Sequence, residues 1–110
     1  LDESFKKFKL KDDIVAYRGM SRKEFNQILS GNEFKEFKHL SIDEKVAKQF
    51  AKRTIDDGVV VKFYLPKGTN GAYIGDYSIF KNEQEFVLNR NAKYEAILKS
   101  KNEMEVYVYA

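Results

Sequence analysis

The sequence contains no cysteine, one proline, one histidine and six glycines. The absence of cysteine excludes disulfide bonds, thiolate nucleophiles and cysteine metal sites. Because His39 is the only histidine and no His/Asp/Glu cluster has ligand spacing, we expect no metal site. The low proline and glycine content argues against a low-complexity chain. No apolar run approaches the ~20 residues of a membrane-spanning helix, so we expect no membrane segment.

Several familiar site motifs are also missing. No glycine-rich loop has the spacing of a nucleotide-binding loop or a dinucleotide-binding fold. A serine–histidine–aspartate site would depend on His39 as its only base, and no nucleophile-elbow motif surrounds any serine. The net charge of +3 comes from 20 basic and 17 acidic residues that are interleaved along the chain. Without a dense basic block, nucleic acid is not an expected partner.

The residues that are abundant indicate a folded domain. The chain has 110 residues, of which 43% are hydrophobic and 15% aromatic. This is the length of one domain, and so many aromatic residues can form a substantial core. We therefore predict a single domain over residues 1–110, monomeric in isolation.

Helical patterns dominate the first half of the sequence. Apolar residues among lysines predict an amphipathic helix over residues 1–11. Two capping boxes, Ser21 with Glu24 and Ser41 with Glu44, predict the starts of two further helices. Each box supplies a hydroxyl that can accept a hydrogen bond from an early helical N–H.

Strand patterns dominate the second half. A short strand over residues 14–18 that stops at Gly19 is followed, after the helices, by the strongest strand, "VVVKFYL". The segments "EFVLNR", "KYEAILK" and "MEVYVYA" predict three more strands joined by the short turns "NAK" and "SKNE". The fold class is therefore α+β, with helices packed on a mostly antiparallel sheet whose strands are concentrated in the C-terminal half.

Four residues are candidates for chemistry. Arg18 ends a strand before a glycine, where its planar guanidinium could bind phosphate, although the residue alone fits an ordinary surface arginine better. Ser41 is a good helix N-cap. Glu83 and Glu85 are two residues apart at a strand entry, which puts both side chains on one face, roughly 6–7 Å apart. Such a pair can serve one substrate or can solvate a sheet edge.

The order of these residues resembles the arginine–serine–glutamate class of mono-ADP-ribosyltransferases. This class includes the clostridial C3-like toxins, the binary actin-modifying toxins and several phage enzymes. "VAYRG" matches its strand-end arginine, "FKHLSIDEKVAKQF" is similar to its aromatic–Ser–Thr–Ser strand and following helix, and "FKNEQEFVLNRNAKYEAI" matches its glutamate motif. "VVVKFYLPKGTNGAYI" also looks like the connecting passage of the family. In this alignment His39 stands at the first serine of the Ser–Thr–Ser motif and Ser41 at the third.

The resemblance implies a role for each motif residue. Glu85 would bind the ribose hydroxyl and stabilise the positive ribose of the transition state. Glu83 would hold an acceptor guanidinium and help to deprotonate it, so the acceptor would be arginine. Arg18 would bind the NAD phosphates, Gly19 would offer backbone groups to the nicotinamide amide, and Ser41 would position Glu85 or the ribose.

Five further residues receive roles by the same resemblance. Phe50 would stack on nicotinamide, although a helix core position explains it equally well. Arg53 would be a second phosphate contact or a plain surface residue. Phe80, and less strongly Tyr77, would touch the target protein. His39 could donate a hydrogen bond to Glu85.

The implied function is NAD-dependent mono-ADP-ribosyl transfer to a target protein, with NAD as substrate and no metal. The implied fold is that of an ADP-ribosyltransferase catalytic domain. Two alternatives stay open, namely an NAD glycohydrolase with the same site and a non-catalytic domain that binds a protein partner. Because no signal-peptide pattern is recognisable at Leu1, we expect no targeting segment within these residues. As a bacterial toxin or phage protein, it is expected to be secreted or delivered and to act in the cytoplasm of a target cell.

Overall fold

The fold is a mixed seven-stranded sheet with two helices. A computed structural model describes residues 9–53, 58–73 and 85–109, with the backbone alone for residues 72, 73 and 85. The elements in this part of the chain are β1 (Ile14–Met20), α1 (Arg22–Ser30), β2 (Lys38–Ser41), α2 (Glu44–Arg53), β3 (Val59–Leu65), β4 (Gly71–Tyr73), β5 (Glu85–Leu88), β6 (Tyr94–Ser100) and β7 (Glu103–Val108). Neither helix is both long and apolar enough to span a membrane.

The strand order is β4-β5-β2-β1-β3-β7-β6. Every neighbouring pair is antiparallel except β3 and β7, which are parallel. β1 and β3 are paired along their whole length, whereas β1 meets β2 at one position, Tyr17 opposite Ser41. The sheet is therefore mostly antiparallel, as predicted, and its β4-β5-β2 part is joined to the rest through a short contact.

β3 shows why the sequence forms this sheet. Its seven residues alternate between buried and partly buried positions. The buried set consists of Val59, Val61, Phe63 and Leu65, of which Val61 and Phe63 are fully buried. Alternation with a period of two puts this set on one face, where α1 covers it with Phe25 and Ile28. The core therefore lies between α1 and this face of the sheet.

The loop from α1 to β2 is held in the core by an aromatic pair. The rings of Phe34 and Tyr94 are stacked with centroids 4.2 Å apart. Both residues are buried, and the Tyr94 hydroxyl donates a hydrogen bond of 2.7 Å to the carbonyl oxygen of Ile28. This carbonyl lies near the C-terminus of α1, where carbonyls lack partners within the helix, and it also accepts a bond of 3.2 Å from the Gly31 amide.

We predict that Tyr94→Phe lowers the free energy of unfolding by about 1 kcal/mol. The ring and its stacking are kept, but the Ile28 carbonyl loses one of two donors and keeps only the weaker bond from the Gly31 amide. Urea denaturation of both proteins measures the difference. Tyr109→Phe is the control, because Tyr109 is exposed and its hydroxyl donates to the Glu95 carboxylate. Equal loss in the two variants would contradict a special role for the buried hydroxyl.

Two predicted element bounds were wrong. The predicted helix over residues 1–11 does not extend to its end, because Lys9 forms a strand-like bridge with Asn70 and the amide of Leu10 donates to the carbonyl of Thr69. Residues 1–8 lie outside the described part. β1 does not stop at Gly19 but continues to Met20, since full pairing with β3 satisfies its backbone.

The third error concerns the "NAK" turn. β5 and β6 follow each other closely in sequence, so a hairpin was expected. Instead, β5 pairs with β2 and β4, while β6 pairs with β7 at the other end of the sheet. Asn91 in this connection has φ of 70°, a left-handed conformation that asparagine tolerates, and its amide donates to the carbonyl of Phe34.

Candidate active site

The register of β2 and β5 brings two predicted site residues together. Ser41, the last residue of β2, lies directly opposite Glu85, the first residue of β5. Directly opposite residues in an antiparallel pair are the closest neighbours across the ladder. On its other side, Ser41 lies opposite Tyr17 of β1. Long-range strand pairing therefore joins the serine and glutamate motifs at the backbone level.

His39 occupies a different place in the same ladder. It lies opposite Val87, two residues further along β5, and its side chain is exposed. Of the two residues aligned with the serine motif, Ser41 is thus the one opposite Glu85. A hydrogen bond from His39 to Glu85 stays a prediction.

Ser41 does not cap α2, in contrast to the prediction. The helix begins at Glu44, and the Asp43 carboxylate accepts a hydrogen bond of 2.9 Å from the amide of Lys45. The amides of Val46 and Ala47 donate to the Asp43 carbonyl. Asp43 is therefore the N-cap, two residues later than expected, because the strand pairing of β2 continues to Ser41.

The Ser41 hydroxyl is oriented by the turn between β2 and α2. It accepts a hydrogen bond of 3.1 Å from the Asp43 amide and lies 2.9 Å from the Asp43 carbonyl oxygen, to which it can donate. Such a serine turn is a common connection from a strand into a helix. It holds the hydroxyl at the strand end where Ser41 faces Glu85.

Arg18 lies within β1 and makes three hydrogen bonds. Its Nε and Nη2 donate to the two carboxylate oxygens of Glu24, at 2.5 and 3.0 Å, and its Nη1 donates to the His39 carbonyl oxygen at 3.0 Å. Glu24 also accepts from Lys38 Nζ at 3.4 Å. Arg18 thus joins β1, α1 and β2, and it reaches β2 two residues before Ser41.

The Glu24 carboxyl is held in its ionised form. Partial burial raises its pKa, but hydrogen bonding and charge from Arg18, together with the charge of Lys38, outweigh this effect and leave the pKa lowered. The capping box that the sequence predicted is half formed, because the Ser21 hydroxyl accepts from the Glu24 amide at 3.3 Å. The Glu24 side chain turns to Arg18 instead of completing the box.

Gly19 makes room for α2. A Cβ atom at this position would overlap the backbone carbonyl oxygen of Ala47 and lie 2.8 Å from the backbone nitrogen of Ala51. The helix therefore packs its small residues Ala47 and Ala51, both buried, against the strand. The predicted contact of Gly19 with nicotinamide stays untested, and helix packing already accounts for the glycine.

This packing leaves Phe50 outside the core. Phe50 is 54% exposed, so the helix-core explanation of this residue is wrong. An exposed large aromatic side chain is available for a ligand or partner. Arg53 is exposed in the last turn of α2, where a positive charge is favourable next to the helix C-terminus. Its contact with phosphate stays a prediction.

Three predicted site residues, Tyr77, Phe80 and Glu83, lie outside the described residues, as does the side chain of Glu85. Across residues 9–53, 58–73 and 85–109 there is no group of three or more His, Asp or Glu residues that could hold a metal ion.

The sequence interpretation missed the partners of the candidate residues. Glu24 was identified only as a capping residue, and Lys38 and Asp43 received no role. One signal was present. Glu24 lies in the first turn of the helix that directly follows the strand with Arg18, so its carboxylate can point back at that arginine. Lys38 had no comparable signal, because its contact depends on where β2 lies in the sheet.

The chain belongs to the ADP-ribosyltransferase exoenzyme family, whose sequence profile matches residues 1–108. Over 96 residues it is 58% identical to a protein named NAD(+)--arginine ADP-ribosyltransferase EFV, from Enterococcus faecalis (strain ATCC 700802 / V583). That match covers 86% of this chain and 20% of the relative. The chain therefore spans about a fifth of the length of this curated relative.

Solved structures agree in fold. Plx2a, an ADP-ribosyltransferase toxin from Paenibacillus larvae, is 24% identical with a TM-score of 0.67, over 100% of this chain and 68% of that chain. C3stau2 from S. aureus, solved with NAD, is 18% identical with a TM-score of 0.67, over 98% and 66%. The α+β ADP-ribosyltransferase fold expected from the sequence is thereby confirmed.

Proposed function

We propose that this chain is an NAD-dependent mono-ADP-ribosyltransferase that modifies arginine in a target protein. Among the described residues, the observation that carries the proposal is the register that sets Ser41 opposite Glu85. The 58% identity to a relative named as an arginine-specific enzyme supports the choice of acceptor. We also propose that residues 1–110 form one catalytic domain.

The reaction breaks the bond between the ribose C1′ and the nicotinamide nitrogen. The bonding electrons leave with nicotinamide, so C1′ and the ring oxygen become positive and oxocarbenium-like. A preorganised carboxylate next to this charge stabilises the transition state more than the ground state. In our proposal Glu85 is that carboxylate, and Ser41 helps to position it or the ribose.

Transfer is completed when a guanidine nitrogen of the acceptor attacks C1′. A new C–N bond forms and the nitrogen loses a proton, which we assign to the Glu83 carboxylate. Arg18 binds the diphosphate of NAD, and the exposed ring of Phe50 stacks on nicotinamide. Phe80 and Tyr77 belong to the surface that we propose for target recognition.

The site of action is also a proposal. Several solved structures of the same fold are named as toxins. This supports a protein that is secreted or delivered and acts inside a target cell. The monomeric state of the isolated domain stays a prediction.

Glu83→Ala should separate transfer from hydrolysis. We expect transfer of ADP-ribose to agmatine, a small guanidine, to fall by about tenfold or more. Without the Glu83 carboxylate, no base takes the proton from the attacking guanidine nitrogen. Nicotinamide release to water should stay within about twofold, because Glu85 is unchanged. Labelled NAD with separate assays of ADP-ribosyl-agmatine and nicotinamide measures both rates.

The control is Glu103→Ala, an exposed carboxylate at the start of β7, away from β5 in the sheet. If transfer and hydrolysis fall equally in Glu83→Ala, the roles of the two glutamates are wrong. A wild-type chain that releases nicotinamide but never labels a guanidine would favour the glycohydrolase. Absence of NAD binding would favour a non-catalytic domain.

A further inference from the structure

The guanidinium of Arg18 is bound along one edge by a single carboxylate. Nε and Nη2 lie on the same edge of the guanidinium plane, and they donate to Oε2 and Oε1 of Glu24 at 2.5 and 3.0 Å. Two parallel N–H···O bonds fix direction as well as distance, which a single bond does not. Glu24 therefore fixes the orientation of the Arg18 guanidinium plane.

A second group holds the guanidinium from the side of β2. The third donor, Nη1, bonds the His39 carbonyl oxygen at 3.0 Å. Together the three bonds use three of the five N–H groups of an arginine. The side chains of Arg18 and Glu24 are 22% and 21% exposed, so the pair is shielded from much of the solvent but still accessible.

The partner of Arg18 is itself fixed. Glu24 lies in the first turn of α1, where its backbone amide bonds the Ser21 hydroxyl and the positive end of the helix favours a carboxylate. Lys38 Nζ is 3.4 Å from Oε2 of the same carboxylate. The cluster of Arg18, Glu24 and Lys38 thus carries a net charge of +1, which still attracts an anion.

We propose that Glu24 is a positioning residue for NAD, because it presents the Arg18 guanidinium to the diphosphate in a prearranged orientation. This inference rests on the proposed function, in which Arg18 binds the NAD phosphates. Without the bidentate contact, Arg18 samples several rotamers and has to be ordered when NAD binds, which weakens binding. The bond-breaking step depends on other groups and keeps its rate.

The first test is Glu24→Gln, which keeps the shape of the side chain but removes its charge and one of its two acceptors. We expect the Kd and the KM for NAD to rise by about tenfold, with kcat for nicotinamide release within about twofold of wild type. Glu24→Asp keeps the charge but is too short for the bidentate contact, so its Kd should also rise. If the Glu24→Asp protein binds NAD as tightly as wild type, the bidentate contact of Glu24 does not orient Arg18 for NAD.

The matched control is Glu44→Gln. Glu44 is also a first-turn carboxylate that pairs with a lysine, Lys48 at 3.6 Å, but this contact lies within α2. Its loss should leave both Kd and KM unchanged. Thermal unfolding of every variant shows whether a change in affinity only follows lost stability.

A double-mutant cycle with Arg18→Lys identifies the route of the effect. Lysine cannot form the two-bond contact, so Glu24→Gln should change the Kd by less than about twofold in the Arg18→Lys background. A tenfold rise in that background would mean that Glu24 acts independently of Arg18, and would overturn the inference.

The two failures are distinguishable. If wild type neither binds NAD in calorimetry nor releases nicotinamide, the proposed function fails. If wild type does both, and Glu24→Gln binds NAD equally or more tightly, the function stands and the positioning role is overturned.

Discussion

Glu85→Gln should reduce the rate of nicotinamide release by about 10²–10³-fold. Glutamine has almost the same shape, so the strand pairing of β5 with β2 should persist. It lacks the negative charge that offsets the positive ribose as the glycosidic bond breaks. The loss of one preorganised electrostatic group at a transition state typically has this magnitude. Transfer to an acceptor should fall by the same factor, because both reactions share the bond-breaking step.

The measurement compares wild type and Glu85→Gln with labelled NAD, with and without a cell extract as the source of acceptor protein. The Kd for NAD should change much less than kcat, since a transition-state interaction is lost. Glu103→Gln, at the exposed start of β7, serves as the control for loss of one carboxylate. Equal labelling by wild type and Glu85→Gln would show that the reaction does not depend on this residue.

Gly19→Ala should lower the free energy of unfolding by about 3 kcal/mol, which corresponds to a fall in Tm on the order of 15 °C. The added methyl group would overlap the backbone of Ala47 and Ala51 in α2. Backbone atoms of a helix cannot rotate away, so the whole helix has to shift. Because α2 carries Phe50, NAD binding should weaken as well.

A comparison with Gly31→Ala distinguishes steric overlap at Gly19 from the effect of replacing any glycine by alanine. At Gly31, a Cβ atom would lie 2.7 Å from the Tyr94 hydroxyl, the end of one side chain, and 3.2 Å from a backbone oxygen. Gly31→Ala should therefore cost less stability than Gly19→Ala. Neither glycine has positive φ, so steric contact is the only cause invoked. A Gly19→Ala protein as stable as wild type would contradict the close packing of α2.

Local patterns were enough to predict most of the elements. The alternating pattern of "VVVKFYL" predicted β3 with its observed bounds, because side chains on opposite faces of a strand differ in burial. The capping box at Ser21 and Glu24 predicted the start of α1, since that signal lies within one helical turn. The N-cap prediction for Ser41 failed because a long-range contact overrides the local signal. Pairing with β5 keeps that residue in a strand, and Asp43 becomes the N-cap.

The candidate site was predictable in part, as an ordered set of motifs. Arg18, Ser41 and Glu85 could be selected because their flanking residues resemble a family pattern. Their partners could not, because the contacts join residues that are far apart in sequence. Lys38 meets Glu24 only after β2 and α1 have packed together, and no pattern within either segment indicates this contact.

By itself, the sequence determined the α+β class, the family and the order of the candidate residues, since these depend on short-range patterns of polarity and residue type. Tertiary structure decided which residue faces which. Strand register set Ser41, and not His39, opposite Glu85. The packing of α2 on Gly19 left Phe50 outside the core. Register and helix packing follow from hydrogen bonds and contacts between distant segments, so they are settled only when the whole sheet is assembled.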